Sequence, residues 1–324
     1  MKHLKSAFLR VAISVLSLGL VTFVVRDKFF DALRHLTSID LSLLAAALAV
    51  NFISIIPVTF RTGRILLIQK ISITFQRIYY LWTISLFFNL FLPSAIGGDI
   101  VKAYYLYKDS GKKMAAVTSV LFDRFFGLAA TIAIGVAAFL MARGQIDNPQ
   151  IGELLFWLAV FVFVAVLFLM SQRFSKPLRH FLTRLSPKRF RERLGRIFEI
   201  VDLYQKKRRD FLISLGLSLV AQGLYILMMY LLARAIHIDL PIFMFFLFFP
   251  IIGIFSMVPS IGGLGVREAA TVYLFQKFIP LNEAVAFSML SDLFVYGVGI
   301  GCGILYAIHG GASIQEIEQI ENGG

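Results

Sequence analysis

Residues 91–99 of the chain read FLPSAIGGD, and residues 258–265 read VPSIGGLG. Each stretch follows an apolar run with a proline and a pair of glycines, residue types that disrupt helical hydrogen bonding. Irregular backbone at membrane depth is tolerated only where it is buried in protein or lines a water-filled cavity. The two stretches therefore predict helix breaks inside a membrane protein, at Pro93-Ser94 and at Pro259-Ser260.

The composition is that of a membrane protein. Of the 324 residues, 58% are hydrophobic and 16% are charged, and the mean hydropathy is +0.80, whereas soluble domains carry about 25% charged residues. Eight apolar segments are candidate membrane helices, at residues 8–25, 41–60, 78–92, 115–141, 154–170, 211–233, 241–258 and 284–308. We predict an all-α polytopic membrane protein in which residues 1–324 form a single integral membrane domain.

The distribution of positive charge constrains how these segments cross the membrane. The net charge is +13, and residues 171–210 alone hold 13 Lys or Arg against 4 Asp or Glu. If all eight segments crossed in turn from a cytoplasmic N-terminus, this basic loop would lie outside, against the positive-inside rule. The loop becomes cytoplasmic if the two broken segments turn back as re-entrant helical hairpins. We therefore predict about six full spans plus two re-entrant hairpins, with both termini in the cytoplasm.

The two breaks belong to an internal repeat. Residues 119–125 read SVLFDRF and residues 288–294 read SMLSDLF, so the offset is 165 residues between the glycine pairs and 169 between Asp123 and Asp292. The repeat blocks cover about residues 78–140 and 241–308. In the predicted topology the blocks are inverted, which is typical of secondary transporters whose broken helices meet near the membrane midplane.

Charged side chains inside these blocks are the candidate substrate site. An ionisable residue at membrane depth costs about 2.5–3.5 kcal/mol and therefore faces protein or a cavity. The candidates are Asp99, Lys102, Asp123, Arg124, Arg267, Glu268 and Asp292. The backbone N–H groups at Gly97-Gly98 and Gly262-Gly263 could hold a phosphate at two helix starts, with Lys102 and Arg267 adding charge.

Each charged candidate also has a purely structural interpretation. Asp99 and Lys102 are three residues apart and can pair on one helix face. Asp123 and Arg124 can be a charge pair between helices, and Glu268 can be a partner of Arg267. Asp292, which has no adjacent cation, can pair with Arg124 or Arg267 or act as a protonatable coupling group.

The remaining patterns limit the partners and the chemistry. Cations alternate with apolar residues in the loop at 171–210, which predicts an amphipathic segment on anionic lipid headgroups. Nucleic-acid binding is disfavoured because the loop is tied to a membrane. We find no metal site, no cofactor motif and no nucleophile elbow, so membrane lipids are the expected partners, with a homo-oligomer left open.

Three motifs in order carry a family resemblance, at residues 89–102, 123–127 and 258–268. Together they resemble the flippase-like transmembrane domain of lysylphosphatidylglycerol synthases and its stand-alone relatives. The resemblance implies the cytoplasmic membrane of a prokaryote and movement of aminoacylated phospholipids or other lipid-linked molecules between leaflets. Relatives often have Arg where Lys102 stands and Glu where Asp123 stands, and Lys lacks the bidentate grip of Arg on phosphate.

The long synthases continue into a soluble aminoacyltransferase domain, and this sequence does not. We therefore expect no enzyme activity. The predicted function is a flippase or transporter that moves or binds an anionic or aminoacylated phospholipid or a polyprenyl-linked lipid. The alternative is a non-catalytic membrane scaffold, or an accessory subunit of a lipid or glycan synthesis enzyme.

Overall fold

The computed structural model describes residues 38–91, 97–141, 202–256 and 265–308, together with scattered helical positions between 153 and 166. Throughout these ranges the chain is helical, with no strand. Several predicted features lie outside the described residues: the segment at 8–25, most of the segment at 154–170, the loop at 171–201, and both Pro-Ser breaks with Gly262 and Gly263.

Eight helices form the described architecture: α1 Leu41–Ile68, α2 Phe75–Phe91, α3 Gly97–Ser110, α4 Lys113–Met141, α5 Arg208–Ala235, α6 Ile242–Phe255, α7 Val266–Phe275 and α8 Leu281–Ile308. Four of them, α1, α4, α5 and α8, are long and apolar enough to cross a bilayer. The prediction of an all-α membrane protein is confirmed for the described residues.

Two predicted boundaries differ from the structure. The second apolar segment is predicted at 41–60, but α1 continues to Ile68. The helix passes through Arg61, whose exposed fraction is only 4%, because the guanidinium finds partners inside the protein. The basic loop was placed at 171–210, but residues 202–206 are helical and α5 begins at Arg208.

Helices α1 and α5 pack side by side in opposite directions. At one end the backbone N–H of Asp40 donates to the Ala235 carbonyl at 2.8 Å, where α1 begins and α5 ends. Near the other end Arg64 Nη1 lies 2.9 Å from Asp210 Oδ1, close to the end of α1 and the start of α5. We call the end with Arg64 the basic end of the bundle and the end with Asp40 the far end.

The basic end gathers the turns that carry most of the described cations. Lys112 Nζ donates to the Lys70 carbonyl at 2.9 Å, which joins the α3–α4 turn to the end of α1. Arg77 Nε lies 2.8 Å from Asp109 Oδ2, which joins the start of α2 to the end of α3. The α1–α2 turn, the α3–α4 turn and the start of α5 therefore share one end of the molecule.

Helices α2 and α3 form an antiparallel pair, the first hairpin. The Arg77–Asp109 ion pair closes its base at the basic end. At its tip the Gly98 N–H donates to Asn89 Oδ1 at 2.7 Å. With 17 and 14 residues, its helices are shorter than the four long ones.

Helices α6 and α7 form a second hairpin, whose base lies at the far end. The Phe275 ring, at the end of α7, lies 5.3 Å between centroids from the Phe245 ring near the start of α6. Helix α6 follows directly on the end of α5. Gly265, immediately before α7, has φ +84°, a left-handed conformation that glycine adopts without steric cost. The two hairpins thus open from opposite ends of the bundle.

Each hairpin packs against a long helix from the other part of the chain. Helix α4 contacts α6, and α8 contacts α2. The second contact is close because Gly299 and Gly303 of α8 face Leu90 and Phe87 of α2, while Gly297 and Gly301 have no neighbour within 4 Å of a Cβ position. This spacing is a small-residue helix interface.

Candidate functional site

Asp123 on α4 is the centre of a buried charge cluster. Its Oδ1 accepts a hydrogen bond from Arg61 Nε of α1 at 2.9 Å, and its Oδ2 accepts one from the Thr62 hydroxyl at 2.7 Å. Lys102 Nζ of α3 lies 3.4 Å from the same Oδ2. Arg61 also donates to the Ser218 hydroxyl of α5 at 2.9 Å. Four helices thus converge on one carboxylate.

Asp99 extends the cluster towards the surface. Its Oδ1 lies 3.3 Å from Lys102 Nζ, and its Oδ2 accepts a hydrogen bond from Arg124 Nε. The Lys102 ammonium also lies 3.4 Å from the centre of the Trp82 ring, a cation–π contact. The Lys102 side chain is 1% exposed, whereas that of Arg124 is 44% exposed. Arg124 is therefore the cation of the cluster that a ligand can reach.

The local sequence places these charges at one depth. Arg61 lies seven residues before the end of α1, Lys102 eight before the end of α3, and Asp123 ten after the start of α4. At 1.5 Å per residue these separations correspond to about 10, 12 and 15 Å from the basic end. Three helices therefore bring their charges to a common layer, about halfway into a hydrocarbon core of about 30 Å.

The first cluster, Arg61, Asp99, Lys102, Asp123 and Arg124, holds three cations and two carboxylates. Its formal charge is therefore +1. Burial of ions is costly, so each buried charge needs a partner of opposite sign. An excess cation at this depth attracts an anion from the lipid phase.

The tip of the first hairpin is tight. A Cβ atom on Gly98 would lie 2.2 Å from the Ser85 carbonyl oxygen, so only glycine fits there. The Gly98 N–H is occupied by Asn89. This N–H is thus already bonded, which reduces the set of donors that the sequence assigned to phosphate at this helix start.

A second cluster lies on the second hairpin and α8. It consists of Arg267 and Glu268 of α7 and Asp292 of α8. Arg267 pairs with Asp292, and its Nη2 lies 3.6 Å from Glu268 Oε1. Both oxygens of Glu268 are buried and make no hydrogen bond. A cavity with room for about one water molecule lies beside the cluster, lined by Met229, Phe249, Arg267, Thr271, Ser288, Ser291, Asp292 and Val295.

The structure brings the predicted charged residues into two groups. Asp99, Lys102, Asp123 and Arg124 meet in the first cluster, and Arg267, Glu268 and Asp292 meet in the second. Of the open alternatives, Asp292 pairs with Arg267, and Arg124 pairs with Asp99. Among the described residues no group of three or more His, Cys, Asp or Glu is placed to hold a metal ion.

Sequence reasoning missed Arg61, Thr62, Trp82 and Ser218. Arg61 directly follows a run of twenty largely apolar residues, and this position could have indicated a buried arginine. The other three are ordinary helix residues whose role depends on distant partners. No local pattern singles them out.

Comparison with known proteins places the chain by sequence. A search of curated proteins gives no match. Residues 7–303 match the family described as lysylphosphatidylglycerol synthase TM region, which covers most of the chain and both charge clusters. Together with its four long apolar helices, this match makes the protein a multi-pass membrane protein of a lipid-related family. The chain belongs to the lysylphosphatidylglycerol synthase transmembrane-region family.

Proposed function

We propose that the protein moves an anionic or aminoacylated phospholipid, or a polyprenyl-linked lipid, between the leaflets of the membrane. The observation that carries the proposal is the first cluster, which has a formal charge of +1 at membrane depth and one half-exposed arginine, Arg124. A lipid phosphate is the anion available at that depth. The planar guanidinium of an arginine can donate two parallel N–H hydrogen bonds to such a phosphate.

The arrangement of helices supports an inverted-repeat transporter. Both α1–α4 and α5–α8 run long, short, short, long, with 28, 17, 14 and 29 residues in the first unit and 28, 14, 10 and 28 in the second. Their hairpins open from opposite ends. Two similar units in opposite orientations can expose one site to each side in turn.

The depths of the two clusters support the same symmetry. Lys102 lies eight residues before the end of α3, and Arg267 lies eight before the end of α7. Asp123 lies ten residues into α4, and Asp292 lies eleven into α8. A cation on the hairpin thus meets a carboxylate on the following helix in both units, at matching depths from opposite ends. This pattern supports six spans and two re-entrant hairpins.

The buried state of Lys102 supports a gating role for the first cluster. Asp99 and Asp123 hold its ammonium away from solvent. A phosphate that binds Arg124 competes with Asp99 for that arginine, and its own negative charge competes with the two carboxylates for Lys102. In this proposal lipid binding opens the cluster, and the cluster closes again after release.

The orientation follows from the charges at the basic end. Positive turns lie in the cytoplasm, so we assign the basic end to the cytoplasmic side of a prokaryotic inner membrane, with both termini on that side as the sequence predicts. The proposed activity is transport without aminoacylation. In the sequence repeat, Gly262 and Gly263 correspond to Gly97 and Gly98.

Reconstitution tests the proposal. The purified full chain is placed in liposomes that contain fluorescent phosphatidylglycerol, phosphatidylcholine or a polyprenyl phosphate, and the outward-facing label is quenched with dithionite. We expect faster exchange of at least one anionic probe than in empty liposomes. No exchange and no binding of any anionic probe would contradict the proposal and favour the scaffold function.

A matched pair of variants locates the site. Arg124 pairs with Asp99 and Arg64 with Asp210, and their side chains are 44% and 47% exposed. Arg64 lies near the basic end, outside the cluster. Arg124→Gln is expected to slow anionic lipid exchange at least tenfold, because a lost hydrogen bond to a charged group costs about 1.5–3 kcal/mol. Arg64→Gln is expected to leave the exchange rate within twofold of the wild type.

A further inference from the structure

The second cluster differs from the first in its charge. It holds two carboxylates, Glu268 and Asp292, but one cation, Arg267, so its formal charge is −1 where that of the first cluster is +1. The two starts of α1 and α5 are 167 residues apart, which aligns Arg61 of α1 with Met228 of α5. The 169-residue offset between Asp123 and Asp292 likewise places Leu293 opposite Arg124. The second unit therefore lacks counterparts of both arginines of the first cluster.

The two carboxyl groups of the second cluster face the same guanidinium nitrogen, Arg267 Nη2. This nitrogen pairs with Asp292 Oδ1 and lies 3.6 Å from Glu268 Oε1, too far for a hydrogen bond, so it brings the two carboxyl groups together but satisfies only one of them. The Glu268 side chain is 7% exposed, and neither of its oxygens has a hydrogen-bond partner. Two ionised carboxylates are both acceptors and repel each other, whereas one proton between them supplies the missing hydrogen bond.

In the part of the chain that the structure describes, no second positive charge lies beside this pair. Tyr225 of α5 and Tyr296 of α8 are the other titratable groups near Arg267 among the described residues, and both are neutral donors at ordinary pH. Helix α6 contributes Phe249 to the adjacent cavity. A buried excess negative charge is unfavourable. A proton is the cation that needs the least space to neutralise it.

From this geometry we infer that the Glu268–Asp292 pair binds one proton, and that this proton is exchanged with water as the hairpin moves. The site takes its proton from solvent and returns it there, so no other reactant is required. The inference rests on the proposed transport function for its role, but the binding of the proton does not. The two units would then divide their tasks, one holding an anion and the other a proton.

Infrared spectroscopy of the purified full chain tests the binding directly. The carbonyl stretch of a protonated carboxyl is separate from the bands of ionised carboxylates. We expect one protonated carboxyl per chain at neutral pH, lost in Glu268→Gln and in Asp292→Asn because the remaining carboxylate then has Arg267 to itself. Glu283→Gln, in the first turn of α8, is the control and is expected to keep the band.

A variant that is expected to strengthen the infrared band shows that loss of the band in the other variants is not caused by misfolding. Arg267→Gln removes the cation and is expected to increase the protonated band, because both carboxyls are then buried without a positive charge. Each variant is first checked for monodisperse elution in detergent. A wild-type band equal to that of Glu268→Gln would overturn the inference. Loss of the wild-type band when sodium replaces choline at constant pH would assign the site to sodium and also overturn it.

A transport experiment tests the role of the proton. In liposomes an imposed pH gradient is expected to change the rate of fluorescent phosphatidylglycerol exchange at least threefold in the wild type and to have no effect in Glu268→Gln. A protonated pair without a gradient effect would overturn the coupling. Exchange of lipid by a chain that lacks the infrared band would overturn the proton site and leave the proposed transport function intact.

Discussion

The Lys102 ammonium lies 3.4 Å from Asp123 Oδ2, the same oxygen that accepts the Thr62 hydroxyl at 2.7 Å. This carboxylate therefore balances Lys102 and Arg61 together. Its removal leaves two buried cations with Asp99 as their remaining counter-charge in the cluster.

Asp123→Asn is expected to destabilise the protein strongly. Removal of one partner from a buried ion pair costs about 3–5 kcal/mol, because the other charge stays buried. Asp109→Asn breaks the partly exposed pair with Arg77 and is the control, with an expected cost of less than about 1 kcal/mol. Thermal unfolding in detergent compares the two variants. Equal midpoints would show that the first cluster is not tightly coupled.

Gly98→Ala is expected to separate the two helices of the first hairpin. The added methyl group would lie 2.2 Å from the Ser85 carbonyl, and overpacking of this kind costs about 1–3 kcal/mol. Gly216→Ala is the control because nothing lies within 4 Å of its Cβ position. We expect that variant to be neutral or slightly stabilised, since Ala favours helix. Thermal midpoints again provide the measurement.

Gly303→Ala and Gly301→Ala test the contact between α8 and α2 on a single helix. A Cβ on Gly303 would lie 2.1 Å from the Phe87 ring, and one on Gly301 would meet nothing. Only the first variant is expected to lose stability. Phe87→Leu in the same chain is expected to restore part of the loss. The contact is wrong if Gly303→Ala and Gly301→Ala unfold at the same temperature.

Cysteine accessibility tests the opposed hairpins. In a Cys302→Ala background, Lys108→Cys reports the base of the first hairpin and Lys277→Cys that of the second; both positions are exposed. An impermeant maleimide added to intact cells is expected to label Lys277→Cys but not Lys108→Cys. After the membrane is opened, both are expected to react. Labelling of both from one side would contradict the arrangement.

Asp40 caps α1 and gives the fold a dependence on low pH. Hydrogen bonds from the Ser42 hydroxyl and from the backbone N–H groups of Leu43 and Ser42 hold the pKa of Asp40 below its usual value. A depressed folded-state pKa stabilises the protein above the unfolded-state pKa of about 3.9, and this contribution is lost as the pH falls through the folded-state value. In Asp40→Asn the amide side chain still caps α1, but it does not titrate. The thermal midpoint of the wild type is expected to exceed that of the variant at pH 6 and to lose this advantage at pH 3.

The positions of most helices could be predicted from the sequence because membrane helices are long runs of apolar residues. The ends of α4 and α8 match the predicted segments to within about three residues. The end of α1 could not be predicted, because Arg61, Arg64 and Lys70 resemble the first residues of a loop. Whether an arginine leaves the membrane or enters the protein depends on its partner, and Asp123 lies 62 residues away.

The same limit applies to the candidate site. Depth in the membrane identified the seven charged residues, because an apolar surrounding makes each charge conspicuous. Their pairing required the packing of helices. Asp292 had two candidate arginines, and the second hairpin brings Arg267 to it. The excess charge of each cluster became countable only when Arg61 joined the first and Met228 took the corresponding place in the second unit.

Because each hairpin packs on a long helix of the other unit, the bundle can be completed only after the second unit has been made. Helix α2 ends at Phe91 and completes its packing on α8, which begins at Leu281, while α4 completes its packing on α6. Until α8 is made, the first hairpin packs on α1 and α4 and leaves the α2 surface that carries Phe87 and Leu90 uncovered. The insertion machinery must therefore accommodate a partly packed bundle, and a ribosome that stalls before α8 leaves the first hairpin without its partner from the second unit.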